Sequence, residues 1–168
     1  KLMPFLDSLK NHSLFFPNFY SAGIHTNNGI FATQTSLPVL FSRNMMTEMV
    51  RIPNFNGIAS ILQKNGYSTT FAMTHDDEFD GAKGFLIANG YDKIIAKKDY
   101  PSDMVLSTMG VPDNFLFDFS LPLIRKAKSM GFPFLFTYLT GTNHGPYKIP
   151  KGTKFVARSK DIKLQTIE

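Results

Sequence analysis

An α/β fold built on a mostly parallel sheet is what this sequence predicts, and three observations predict it. A helical stretch, then a glycine and an aromatic residue, then an apolar strand recurs at Gly66-Tyr67, Gly90-Tyr91 and Gly131-Phe132, the alternation that produces parallel strands joined by helices. The run FLFTYL, residues 134 to 139, is almost wholly apolar, as suits a central strand covered on both faces. The chain has 168 residues, 43% of them apolar and 17 of them Phe, enough to build a core of this kind in one domain or a large piece of one.

Taken in order, residues 1 to 13 read as a short helix with Leu2, Phe5, Leu6 and Leu9 on one side and Lys1, Asp7 and Lys10 on the other. A strand is expected from Leu14 to Ser21. The turn Ser21-Ala22-Gly23 then leads to a helix over residues 27 to 35 with Thr26 at its head, ended by Pro38. Residues 39 to 54 show no period and read as a connection. Asn56 to Lys64 reads as a helix on the spacing of Ile58, Ile61 and Leu62, stopped by Asn65-Gly66. A strand over Tyr67 to Met73 follows, then a helix over Asp80 to Ala88 stopped by Asn89-Gly90, then a strand over Asp92 to Ala96. Residues 100 to 112 form a loop punctuated by Pro and Gly. The amphipathic stretch Asp113 to Met130 is a long helix that Pro122 should kink or divide.

Composition removes several classes of function. There is no cysteine, so disulfides, thiolate metal sites and a cysteine nucleophile are excluded. No apolar run reaches the roughly 20 residues of a membrane span, and no signal peptide opens the chain. The net charge of +5 comes from basic residues that gather at Lys97-Lys98 and between Lys148 and Lys163. They read as a solvated basic surface, with attraction to anionic substrates as the functional alternative. No nucleic-acid motif is present, and no GxGxxG or GxxxxGK follows a strand.

Three positions after expected strands carry reactive side chains: Thr26; His75 with Asp76 and Asp77; and Asn143 with His144. Parallel strands would project all three toward one edge of the sheet, where open α/β folds place their ligands. At a helix N-terminus, Thr26 is either an N-cap or a nucleophile favoured by free backbone N–H groups and the positive end of the helix dipole. Asp76, Asp77 and Glu78 read as a solvated acidic turn. His12 reads as a surface residue, and the role of His25 depends on its orientation.

The strings HTNNGIF after an FxNxYS segment, NGYSTTFAMTHDDEFDGAKGFLIANGYDKII, and TYLTGTNHGPYKIP follow one another in this order. Together they resemble the extracytoplasmic domain of the lipoteichoic acid synthase family, phosphoglycerol transferases within the sulfatase and alkaline phosphatase superfamily. The resemblance implies a three-layer α/β/α sandwich of the alkaline phosphatase type, of which residues 1 to 168 would be the central part of one catalytic domain. It implies that Thr26 is both nucleophile and metal ligand, with Mn2+ or Mg2+ expected in preference to Zn2+. It also implies that His144, with Asn143 in the same motif, and His75 bind substrate. Where the family often carries an arginine after this histidine, the sequence has Ala82 or Lys83. The superfamily's upstream acidic ligand and downstream Asp-His pair have no counterpart between Lys1 and Glu168, so the chain by itself is expected to bind metal weakly and to be inactive.

The expected partner is an anionic lipid headgroup or polyol phosphate at the extracytoplasmic face of a bacterial cell membrane, with the membrane anchor outside this chain. Rival readings are a phosphoethanolamine transferase, a sulfuric ester hydrolase, and a non-catalytic module that binds headgroups or glycans. The hydrolase would need a (Cys/Ser)-x-Pro-x-Arg motif; Ser36-Leu37-Pro38-Val39 begins it, but Leu40 stands in place of the arginine.

Overall fold

The computed structural model describes residues 4–40, 43–48, 51–150, 152–154 and 156–166. Its frame is a sheet of three parallel strands, β1 (Ser68–Met73), β2 (Lys93–Ile95) and β3 (Phe134–Leu139), in the order β2-β1-β3. β1 and β3 pair along their whole length, from Ser68 opposite Phe134 to Met73 opposite Leu139.

Helices cover both faces, as the sequence predicts. On one side lie α2 (Thr26–Thr35), α3 (Ile58–Lys64) and α4 (Ala82–Ala88). Phe31 from α2, with Phe85 and Leu86 from α4, packs there against Phe71 and Met73 of β1. Alternation along the strand turns Ala72 to the opposite face. There it meets Ile95, Tyr100, Val111 and Leu116, beneath α5 (Asp113–Ser129). The result is an α/β/α sandwich. Two tyrosine hydroxyls tie the layers together: Tyr91 donates to Gln34 Oε1 on α2 at 2.7 Å, and Tyr100 donates to the Met73 carbonyl at 2.8 Å. Burial pushes the pKa of both phenols up from the usual tyrosine value.

Several elements differ from expectation. The strand expected over Leu14 to Ser21 is absent: a turn forms at Pro17-Asn18, and Leu14, Phe15, Phe16, Phe19 and Tyr20 are exposed. Pro17 has no N–H to give a ladder, and strand propensity without a partner strand is not enough. The first helix, α1, runs Pro4–Leu9 and continues as a 3-10 turn over Lys10–His12. Its apolar side is solvent-exposed at Phe5 and Leu6, while Lys1 and Leu2 lie outside the described residues.

On α3 the buried positions are Ala59 and Ser60, whereas Ile58 and Ile61 are about half exposed. Close approach selects small residues here, because Gly90 packs directly on the Ser60 backbone. α5 runs through Pro122 without a break. Both Pro122 and Asp118, whose carbonyl loses its helical donor, are exposed, so water can satisfy that carbonyl. The central strand is β1; β3, paired on one side only, is half-buried throughout. A short helix, α6 (Ile162–Gln165), capped by Asp161, lies near the C-terminus.

Gly90→Ala tests the tightest helix-to-loop contact. Gly90 has φ +94, and a Cβ there would stand 2.4 Å from Ser60 Cα. Left-handed strain and overpacking together should cost about 2 to 4 kcal/mol, read as a lower urea midpoint with an unchanged m value. A wild-type midpoint would contradict this packing.

Candidate active site

Thr26 is the first residue of α2, and the N-cap is His25. Capping is done by neighbours: Asn28, buried, accepts from the His25 backbone N–H through Oδ1 at 3.3 Å, while the Asn28 and Gly29 amides bond back to the His25 carbonyl. Thr26 is therefore not a cap. Its side chain is exposed, and among the described residues its hydroxyl makes no hydrogen bond. The Thr26 and Asn27 amides, at the positive end of a ten-residue helix, have no backbone acceptor among those residues. Thr26 opens onto a cleft of about 380 Å³ between α2 and β3, lined also by His25, Phe71, Thr137 and Tyr138.

Ser36, which begins the incomplete (Cys/Ser)-x-Pro-x-Arg string whose Cys or Ser sulfatases convert to formylglycine, is the left-handed C-cap at the opposite end of this helix. At 1.5 Å per residue it lies roughly 15 Å along the axis from Thr26, at the negative end of the dipole.

His75 follows β1 directly and is only 9% exposed. Its Nδ1 and the neighbouring Thr74 Oγ1 are buried without a hydrogen-bond partner among the described residues. Leaving such atoms unsatisfied costs about 1 to 3 kcal/mol each, and buried unpaired groups of this kind are found at sites where a ligand completes the set. The ring meets Phe79 edge-on at 5.9 Å. Burial holds the His75 pKa below its usual 6.5; Asp76 and Asp80 oppose the shift, and a protonated His144 adds to it.

His144 reaches this group from the turn after β3. That turn is built by Asp113, the first residue of α5: its Oδ1 accepts from the Gly141 and Thr142 amides at 2.7 and 3.1 Å, and Thr142 Oγ1 accepts from the Asp113 amide at 2.8 Å. The turn lies against Thr74, where a Cβ on Gly141 would come within 2.6 Å of Oγ1 and one on Gly110 within 1.6 Å of the carbonyl oxygen. Only residues without side chains fit between the two strand ends.

The structure thus places His144 at the same sheet edge as His75 and within its electrostatic reach, along with Asp76 and Asp80. Thr26 joins them indirectly, through a hydrogen bond from Asn27 Nδ2 to Asp80 Oδ2 at 3.1 Å. Asn143 is exposed and faces a different cleft, shared with Asp113, Asn114 and Ile149. The acidic turn departs from expectation in one residue: Asp77 is buried and paired with Lys98, with Lys83 at 4.0 Å. His12 and His25 are both exposed. Asn27, Asp80 and Asp113 were not singled out from sequence; the signals for the last two were an Asp-Gly turn and a Pro-Asp helix start.

Thr26 offers one oxygen of the kind a divalent cation takes. Among the described residues no group of three or more His, Asp or Glu side chains could hold an ion.

A covered α/β sheet with reactive groups at its carboxyl edge is the arrangement in which open α/β folds place their ligands, and the comparisons show the family. The model of the sulfatase family matches residues 1–165, and the chain belongs to that family. A protein of the alkaline phosphatase superfamily from Vibrio parahaemolyticus is 28% identical, with a TM-score of 0.84 over 96% of this chain and 41% of its own. The lipoteichoic acid synthase LtaP from Listeria monocytogenes is 22% identical, with a TM-score of 0.84 over 99% of this chain and 43% of its own. The chain therefore spans about two fifths of the length of these solved structures. Members of the sulfatase superfamily are generally hydrolases or transferases and generally use divalent metals.

The buried imidazole makes stability depend on pH. Because the folded pKa of His75 is depressed, the unfolded chain binds its proton first as pH falls. Stability should be full above pH 6.5 and decline as pH drops through the folded value. In histidine-resolved NMR titrations, His75 should titrate at a lower pH than 6.5, the ordinary histidine value; a midpoint at or above 6.5 would contradict this.

Proposed function

We propose that this chain is the nucleophile-bearing part of a metal-dependent enzyme that transfers or hydrolyses a phosphoglycerol-type headgroup through a covalent Thr26 intermediate. The observation that carries this reading is Thr26 itself: an exposed hydroxyl at the head of α2 that makes no hydrogen bond among the described residues, beside two amides that have no backbone acceptor among them. Those amides and the helix dipole suit a phosphate oxygen in both the ground state and the transition state.

Thr26 Oγ would form a bond to phosphorus as the bond from phosphorus to the lipid oxygen breaks, leaving the glycerophosphoryl group on Thr26 and releasing diacylglycerol. An acceptor hydroxyl or water would then attack the same phosphorus and free Thr26. A divalent cation, Mn2+ or Mg2+, supplies when bound the positive charge that makes an alcohol acidic enough to attack. The exposed His144 would hydrogen-bond to phosphate or glycerol oxygens, and His75 beside it would offer a second polar contact. Asn143 would contribute from the rim. Membership of the sulfatase family supports ester chemistry of this type, and the placing of Ser36 at the far end of α2 favours Thr26 over a formylglycine.

The substrate we propose is an anionic lipid headgroup or polyol phosphate at the extracytoplasmic face of a cell membrane. Among the described residues no helix is long and apolar enough to cross a membrane.

The test uses the full-length protein, since residues 1 to 168 alone are expected to be inactive, with Mn2+ or Mg2+ and fluorescent phosphatidylglycerol. Metal-dependent release of diacylglycerol should be lost in Thr26→Ala by at least about 1,000-fold. Equal release by Thr26→Ala, or none from a folded, metal-loaded wild type, would refute the reading.

A further inference from the structure

Asp80 sits where three segments meet. Its carboxylate Oδ2 accepts from Asn27 Nδ2, the residue after Thr26, at 3.1 Å. Its backbone carbonyl accepts from Asn44 Nδ2 at 3.3 Å. Asn44 in turn accepts the Met46 amide through Oδ1 at 3.0 Å, and Met46 is fully buried in the core. Phe79, immediately before Asp80, holds the His75 ring edge-on. The short segment from 75 to 80 therefore has the His75 imidazole at one end and the tether to the Thr26 helix at the other.

The backbone at Asp80 is left-handed, φ 55 and ψ 17, a conformation that costs a non-glycine residue energy. Asp and Asn are the residue types that tolerate it after glycine. Glycine would suit the backbone but could not accept from Asn27. The strain is held in place by the Asn44 bond on one side and by Gly81 on the other, which packs against Thr47. Strain kept at a site by its surroundings is a common mark of a functional constraint.

We propose that Asp80 is a positioning residue: by holding Asn27, it sets where the Thr26 hydroxyl stands relative to the His75 imidazole. This rests on the catalytic reading of Thr26. Asp80 acts through Asn27 and is not required to touch substrate. A displacement of about 1 Å in a reacting group can cost on the order of 100-fold in rate, so one hydrogen bond at the first turn of α2 is enough to matter.

The experiment measures kcat and KM for diacylglycerol release by the full-length protein, together with hydrogen exchange of the Asn28 and Gly29 amides. Asp80→Gly keeps the left-handed backbone and removes the acceptor; kcat should fall about 10- to 100-fold with KM unchanged. Asn27→Asp, which sets two carboxylates face to face, should do the same. The exchange Asn27→Asp with Asp80→Asn restores the pair with donor and acceptor reversed, and should recover most of the lost kcat. Amide exchange in the first turn of α2 should quicken in both single variants and slow again in the double one.

Unchanged exchange in both single variants, or a double variant no better than either, overturns the tether. Wild-type kcat in Asp80→Gly overturns its catalytic role. If the exchange pattern holds in a wild type that releases nothing, the tether is supported and the catalytic reading of Thr26 is what fails.

Discussion

The parallel pairing of β1 with β3 is the constraint on which the rest depends. Because Met73 ends its strand opposite Leu139, the chain emerges from both strands at the same height and on the same edge. His75 is two residues beyond one end and His144 five beyond the other, so the ladder alone brings them to one place. The gap between the two exits is then filled by backbone: the Val111 amide donates to the Thr74 carbonyl at 3.2 Å, and Gly110 and Gly141 lie where no side chain fits. Asp113 completes the join from the start of α5, exchanging three hydrogen bonds with the turn after β3. Each of these bonds satisfies a backbone group that would otherwise be stranded at a half-buried loop.

The Thr26 helix is attached to that edge by different means. α2 belongs to no strand ladder, and its buried face, Ile30 and Phe31, anchors it to the layer shared with α4. Apolar packing of this kind fixes a helix on its sheet but is tolerant of small slides along the axis. The polar contacts at its two ends, Gln34 to Tyr91 and Asn27 to Asp80, have narrower geometry. The core places α2, and the hydrogen bonds at its ends set its register against the site.

Much of this could be read from the sequence, and the parts that could not share a cause. Local signals were reliable where the information is local: the glycine and asparagine stops after α3 and α4, the start of α2 at Thr26, and the strand ending in Thr74-His75. The extended run expected at Leu14 to Ser21 failed because a strand needs a partner, and residue propensity says nothing about partners. FLFTYL reads as a central strand, yet its place in the sheet is decided by what lies beside it, and among the described residues that is β1. Ile58 and Ile61 keep helical spacing, yet the face of α3 that turns inward is the small one, chosen by how close Gly90 must come. In the site, the side chains with familiar chemistry, Thr26, His75 and His144, stood out in sequence. Those that hold them, Asn27, Asp80 and Asp113, did not, because their partners lie 28 to 53 residues away. Asp77 was misread for the same reason: its burial depends on Lys98, which follows a different strand.

The account turns on whether Thr26 carries the headgroup. The direct measurement is to quench the full-length, metal-loaded protein during turnover of phosphatidylglycerol and map the adduct by peptide mass spectrometry. A glycerophosphoryl group on Thr26 is the predicted result. An adduct on another residue, or continued turnover with Thr26 unmodified at every quench time and replaceable by Ala, would contradict it.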